Sequence, residues 1–286
     1  MRSILLLLPL VAACASAGST FRSGVGDTFL EHPPWYAGSR VIPEAGSIRH
    51  LPVAWQSDPA QPSTFGPSSS AGTAVALLLN DMNAWLGTLG ASTLLPVSAD
   101  SLAGATPPDV RFGCESDLGD CEASGDTALG RSIRMKLAVG RPSERWIRAI
   151  GTALDSAGAQ YALAITLEIG QYWTRQSGLR GDKSVELGTG HRASLPWLTS
   201  LETPVQVVQL TGALIGRDGR AVRIGAEGMY ARRTSLAVSA IGGQAMIGDA
   251  EIQQLRGMRR DDLPEQPLVW QEAMRQLVGK LVAGSW

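Results

Sequence analysis

Apolar residues recur along this chain in two rhythms, and each change of rhythm marks an element. Residues 72–90, GTAVALLLNDMNAWLGTLG, place Val75, Leu78, Leu79, Met82 and Leu86 at helical spacing, with Gly90 as a C-cap. A second helix follows Ser143, a capping residue; Trp146, Ile147 and Ile150 make its first apolar contacts, and Gly158 ends it. Val269, Ala273, Leu277 and Leu281 repeat every four residues and predict a closing helix. The intervening rhythm is that of strands. Residues 47–56, 93–98 and 108–114 are short candidates, and Ile133, Met135, Leu137 and Val139 alternate as a strand with one buried face. Residues 160–173, QYALAITLEIGQYW, form a nearly continuous apolar run, the signature of a central strand, whose character changes at Glu168.

Residues 205–232 give the clearest hairpin. With Asp218-Gly219 as a two-residue turn, Ile215 faces Val222, Ala213 faces Ile224, and Gly212 lies opposite Gly225. Two glycines side by side in a sheet predict close approach of another element. Residues 174–204 are polar and glycine-rich and predict a long excursion, while 234–260 are weakly amphipathic and predict a helix. The order β, α, β-β, α, β, hairpin, α implies an α/β (α+β) fold: a mixed sheet with packed helices and a β-hairpin in one globular domain.

The chain begins differently. Arg2 precedes an apolar run from Ile4 to Val11, then small Ala12 and Ala13. This is the order of a secretory signal, too short to cross a bilayer as a helix. Val11-Ala12-Ala13-Cys14 resembles the bacterial lipoprotein signal. The resemblance implies cleavage before Cys14 and acylation of that residue. Several acyl chains anchor a protein stably where one is marginal. Ala15, not Asp, follows the cysteine, which in that family implies the outer membrane. The expected organisation is a signal peptide over 1–13, a lipidated tether with an aromatic and Pro-rich stretch over 14–47, and a mixed α/β domain over 48–286. The first part of the tether reads as flexible. FLEHPPWYAG, by contrast, carries Phe29, Trp35 and Tyr36, too apolar for a free linker, and packs on its own domain or on a partner.

Cysteine count fits export. Lipidation of Cys14 accounts for the odd one of three, leaving Cys114 and Cys121 in CESDLGDC. Six intervening residues suit a small disulfide loop in an oxidising compartment, adding about 2–3 kcal/mol on a chain-entropy view. No histidine flanks the pair and there is no C-x-x-C, which argues against a metal.

GAQYALAIT (158–166) and LTGALIGRDGRAVRIGAEG (210–228), with the helix over 72–89, are similar to the α/β domain of envelope lipoproteins related to the curli-secretion pore and to the amino-terminal domain of TolB. Those relatives mostly scaffold or assemble envelope machinery and carry no catalytic residues. The 174–204 segment and the aromatic N-terminal stretch depart from that pattern, so a pore-forming role does not follow.

Net charge is −1, so no global basic field invites nucleic acid. His32, His50 and His191 are far apart and lack metal-ligand spacing. No G-x-S-x-G, S-x-x-K or phosphate-loop motif is present. Asp81, Glu168 and Glu227 are the acids whose convergence would suit glycosidic cleavage; Glu227 opposite Leu210 on an exposed face is the plainer reading. Arg232-Arg233 and RGMRRDD (256–262) are local charge clusters, read as solvated faces or as contacts to lipid headgroups. No catalytic residue, metal or cofactor is assigned. The expected function is a non-enzymatic binding or scaffolding lipoprotein of the outer membrane, facing the periplasm. Its membrane contact is the lipid on Cys14, and its protein partner binds around Phe29, Trp35, Tyr36, Trp173 and Trp197. The competing classes are an exported hydrolase of peptidoglycan or saccharide, and a carrier of a small ligand or lipid.

Overall fold

In the computed structural model the described residues are 19–21, 35–40, 43–44, 46–57, 70–89, 93–113, 123–124, 132–133, 136–177, 184–189, 200–233, 249–257 and 268–283. The strands are β1 (Ser19–Phe21), β2 (Trp35–Gly38), β3 (Ile48–His50), β4 (Ala54–Ser57), β5 (Thr93–Leu94), β6 (Asp109–Gly113), β7 (Ala123–Ser124), β8 (Ser132–Ile133), β9 (Lys136–Gly140), β10 (Tyr161–Ser177), β11 (Ser184–Thr189), β12 (Ser200–Gly216) and β13 (Ala221–Arg233). The helices are α1 (Ser70–Leu86), a single turn α2 (Ala99–Leu102), α3 (Glu144–Ser156), α4 (Asp249–Leu255) and α5 (Val269–Ala283).

The apolar run of β10 makes it the spine of a nine-stranded mixed sheet. It pairs antiparallel with β12 over seventeen residues, from Tyr161–Gly216 to Ser177–Ser200. Its other edge takes β3 and β4 in parallel and then β11 antiparallel. Pro52 interrupts the expected first strand, which becomes β3 and β4; Asn83 of α1 accepts the Val53 N–H at 2.8 Å across the break. β13 pairs with β12, and its outer edge receives β2 and β1. β6 and β9 form a separate ribbon, as do β7 and β8.

Two cores lie on opposite faces of the near half of the sheet. Leu163, Ile165, Leu167 and Ile169 alternate onto one face and meet α1, α4 and α5 through Leu78, Met82, Ile252 and Leu277, all buried. Ala162, Ala164 and Ala213 line the other face, where short side chains let Trp146, Ile150 and Leu154 of α3 settle on the sheet. Ser143 caps α3 as expected, accepting the Trp146 N–H at 3.3 Å.

Gly212 and Gly225 are paired, as anticipated, and the approaching element is α5. A Cβ on Gly212 would lie 2.9 Å from Leu281, and one on Gly225 would lie 2.7 Å from Tyr36 and 2.9 Å from Leu277. The pair is a window through which the helix and an aromatic ring reach the backbone.

Four expectations change. The excursion over 174–204 is sheet in its described parts: β10 runs on to Ser177, β11 pairs with it, and β12 starts at Ser200. Backbone pairing on both sides carries polar residues into strand where composition suggests loop. The hairpin loop is longer than two residues. Gly219 donates to Gly216 O at 2.9 Å and takes φ +77°, so a left-handed glycine closes the turn; Ala213 keeps its partner Ile224, but Ile215 pairs with Ala221. The tether is not free throughout, since Ser19–Phe21 pairs with Tyr230–Arg232. Of the helix expected over 234–260, α4 is the described portion.

Candidate functional site

The hairpin turn, β2, the end of β9 and the start of α3 line a half-open pocket of about 740 Å³. The turn is held by side-chain hydrogen bonds and an ion pair. Asp218 Oδ1 accepts the Arg220 N–H at 3.0 Å. Arg217 reaches back to α3, donating twice to Ala159 O at 3.0 and 2.7 Å and pairing with Asp155 at 2.9 Å. Gly219 must lack a side chain, because its Cβ would fall 2.5 Å from Ile147 Cγ1. Gly38 closes the facing wall: φ is +129°, a Cβ would sit 2.3 Å from Val222 O, and the next residue, Ser39, donates to that oxygen at 2.8 Å.

Arg141 and Arg220, both exposed, flank the mouth beside Asp218; Val139, Pro142, Ile147 and Val222 supply the apolar lining. Two guanidinium groups against one carboxylate suit a ligand that presents carboxylate or other acceptor oxygens. Among the described residues of the lining Asp218 is the single carboxylate, so these residues do not supply the paired acids that glycosidic cleavage requires.

Arg223, under the cavity, is a group the sequence reading missed. It is 1% exposed, on the same sheet face as Leu214, its register partner. Its Nε donates to Ser39 O at 2.8 Å, and Nη1 to Leu281 O at 2.7 Å and Val282 O at 3.0 Å. One guanidinium thus ties the N-terminal strand to the last carbonyls of α5, where a cation also meets the negative end of the helix. Burial lowers its pKa from the ordinary value, opposed by Tyr161; an arginine remains charged regardless. The signal was a basic residue between Val222 and Ile224 inside an apolar strand.

The sequence candidates scatter. Asp81 pairs with Arg256 of the loop after α4 at 2.8 Å. Glu168 accepts a hydrogen bond from Gln209, its register partner. Glu227 is opposite Leu210, as expected, but it is 0% exposed, which corrects the solvated placement. Glu168 and Glu227 occupy opposite faces, because Gln209 and Leu210 alternate. His50 is buried in β3 with Nδ1 3.2 Å from Leu51 O. Tyr36 is half-buried over Gly225, with Lys280 Nζ 5.8 Å from its ring centre, so its ring packs on its own domain. Trp35 pairs with Ala226, and Trp173 with Gly188 and Pro204. Cys14, Phe29, His32, Cys114, Cys121, His191 and Trp197 lie outside the described residues. Among those described, no three His, Cys, Asp or Glu side chains group as a metal site, and no helix is long and apolar enough to cross a membrane.

The fold defines a mixed α/β protein with a helix-backed hairpin sheet. No protein-family model and no curated protein matches the chain. Among solved structures it is similar to a PelC dodecamer from Paraburkholderia phytofirmans, at 14% identity over 73% of this chain and 89% of that chain, with a TM-score of 0.24. A singly substituted form of the same dodecamer gives 13% identity, the same coverage and a TM-score of 0.25. Likeness at this level defines no shared function.

Proposed function

We propose that this chain is an exported lipoprotein, anchored through Cys14 to the outer membrane and facing the periplasm, where it binds or helps assemble other envelope components without catalysing a reaction. The observation that carries the reading is Val11-Ala12-Ala13-Cys14 directly after a short apolar run headed by Arg2. The separation of Asp81, Glu168 and Glu227 onto different partners and faces supports a binding role over the hydrolase. The cation-flanked cavity favours a partner that offers carboxylates.

The test of the anchor is Cys14→Ser. Wild-type protein should fractionate with outer membranes and incorporate an alkyne fatty acid; the variant should do neither. A variant that stays in the membrane would refute the reading. For the partner surface, a photocrosslinker at Arg220 should trap a defined adduct in the envelope, and Arg141→Glu should remove it. A second reading, carriage of a small polar ligand, is favoured by the cavity volume, which falls within the usual range for ligand pockets. Native mass spectrometry of protein isolated from its membrane checks it through a bound mass lost in Arg141→Glu.

A further inference from the structure

The docking of β1 fixes how such an anchor would present the fold. Cys14 and Ser19 are five Cα steps apart, which span at most about 18 Å. Ser19 does not hang free: it pairs with Arg232 on the outer edge of β13, and Arg232 pairs with Gln206, which pairs with Gln171. From that level β10 and β12 run six residues further, to Ser177 and Ser200, with β11 alongside. Six strand residues project about 20 Å. The three-stranded projection is therefore as long as the whole reach of the tether. In the other direction, the hairpin turn at Asp218 and Gly219 lies about 40 Å along β13 from Arg232.

We propose that the far end of the sheet, residues 171–177 with their register partners in β11 and β12, rests on the lipid headgroups, and that the turn and its cavity stand away from the membrane. This rests on the lipoprotein reading of Cys14. Two features of the projection fit a headgroup surface. Tyr172 and Trp173 are adjacent in β10, residue types that suit the boundary between water and lipid. Nearer the tip, Glu186, Arg175 and Glu202 form one row across β11, β10 and β12. Three ionisable residue types at one register level are costly to bring into hydrocarbon, which argues for contact with headgroups over insertion; with two Glu to one Arg, the anchor and not charge attraction holds the contact.

The experiment uses full-length lipidated protein in vesicles of phosphatidylethanolamine and phosphatidylglycerol carrying a headgroup spin label. A fluorescent amino acid replaces Gln176 in one sample and Arg220 in another. Quenching at 176 should exceed quenching at 220 several-fold. Ten Gly-Ser residues inserted between Ala15 and Ser19 should then bring the quenching at 176 down toward that at 220. Equal quenching at both positions, stronger quenching at 220, or no response to the insertion would overturn the orientation. Flotation of Cys14→Ser with the same vesicles reports on the anchor separately. If that variant floats like wild type, the lipoprotein reading fails and takes the orientation with it; if only wild type floats, quenching alone decides.

Discussion

β10 and β12 run through two environments on one uninterrupted hydrogen-bond ladder. From Tyr161 to Ile169 the strand is sandwiched, with α1, α4 and α5 over its leucine face and α3 over its alanine face. From Gln171 to Ser177 it reads QYWTRQS, and its described neighbours are further strands, β11 and then β6 and β8 beside β11. Alternation of large and small apolar side chains holds the near half. Backbone pairing is the common feature of both halves. The contrast teaches that ladder and core are separable: one gives a strand its length, the other gives a fold its stability and its single register.

The sharpest way to break the contrast is to refill the near half. Gly225→Leu would drive a side chain into Tyr36 and Leu277, forcing α5 off the sheet. We expect a loss of about 3 kcal/mol or more, measured by urea unfolding. Leu277→Ala, which empties the same contact from the helix side, should lose about 2–5 kcal/mol. Thr174→Ala in the far half should change stability by less than about 0.5 kcal/mol. A loss at 174 as large as that at 225 would show that the projection is part of the cooperative core.

Next comes Arg223, which joins the near half to the N-terminal strand. Arg223→Met keeps volume and leaves the carbonyls of Ser39, Leu281 and Val282 without their cation. A buried acceptor that loses its donor costs about 1–3 kcal/mol; here the Leu281 bond is the fully buried one, and water reaches the part-buried bonds to Ser39 and Val282. We expect a total loss of about 2–4 kcal/mol, together with faster amide exchange at Ala37 and Gly38, since β2 loses its clasp. Unchanged exchange there would show that ladder pairing with β13 alone holds β2.

These two sites also mark how much was legible beforehand. The Gly212–Gly225 window could be read from a hairpin with glycines at matching distances from its turn, because register is arithmetic once the turn is located. The turn itself was misjudged by one residue, since Asp-Gly serves both a two-residue loop and a longer one closed by a left-handed glycine. The fold class followed from rhythm, as did α3 with its Ser143 cap. The far half was barely legible: TRQS has no apolar residue, SVELGT alternates only through Val185 and Leu187 inside a polar, glycine-rich stretch, and their pairing comes from neighbours distant in sequence. The cavity was likewise invisible, because it depends on Gly38, Ile147 and Gly219 meeting across almost two hundred residues. Arg223 was visible only as an anomaly, and its use had to await the position of α5.

The turn offers a smaller test of the cavity wall. Gly219→Ala places a methyl group against Ile147 at a φ of +77° that L-residues avoid. The strain is about 1–2 kcal/mol. Ile147→Ala should recover part of it by opening space, while the unfavourable backbone angle stays. Full recovery in the double variant would mean that contact with α3, and not backbone conformation, selects glycine here.

The smallest effect belongs to the outer face of α5, and it should appear as a dependence on pH. Burial works to raise the pKa of Glu272, but hydrogen bonds from Gln276 at 2.8 Å and Arg275 at 3.0 Å, with the charge of Arg275, outweigh it and hold the carboxyl below its ordinary value. A carboxyl lowered on folding contributes stability above its unfolded pKa, and that contribution fades as pH falls through the folded value. Arg275 is well exposed, with 63% of its side chain accessible, so solvent screens the pair. Glu272→Gln should therefore lose only about 0.3–0.5 kcal/mol at neutral pH, the scale of a single helical ion pair. Below the range where carboxylates titrate the variant and the wild type should unfold at the same urea concentration. A gap that persisted in acid would trace the loss to the geometry of the amide and not to charge. A gap that widened in acid would contradict the sign of the shift.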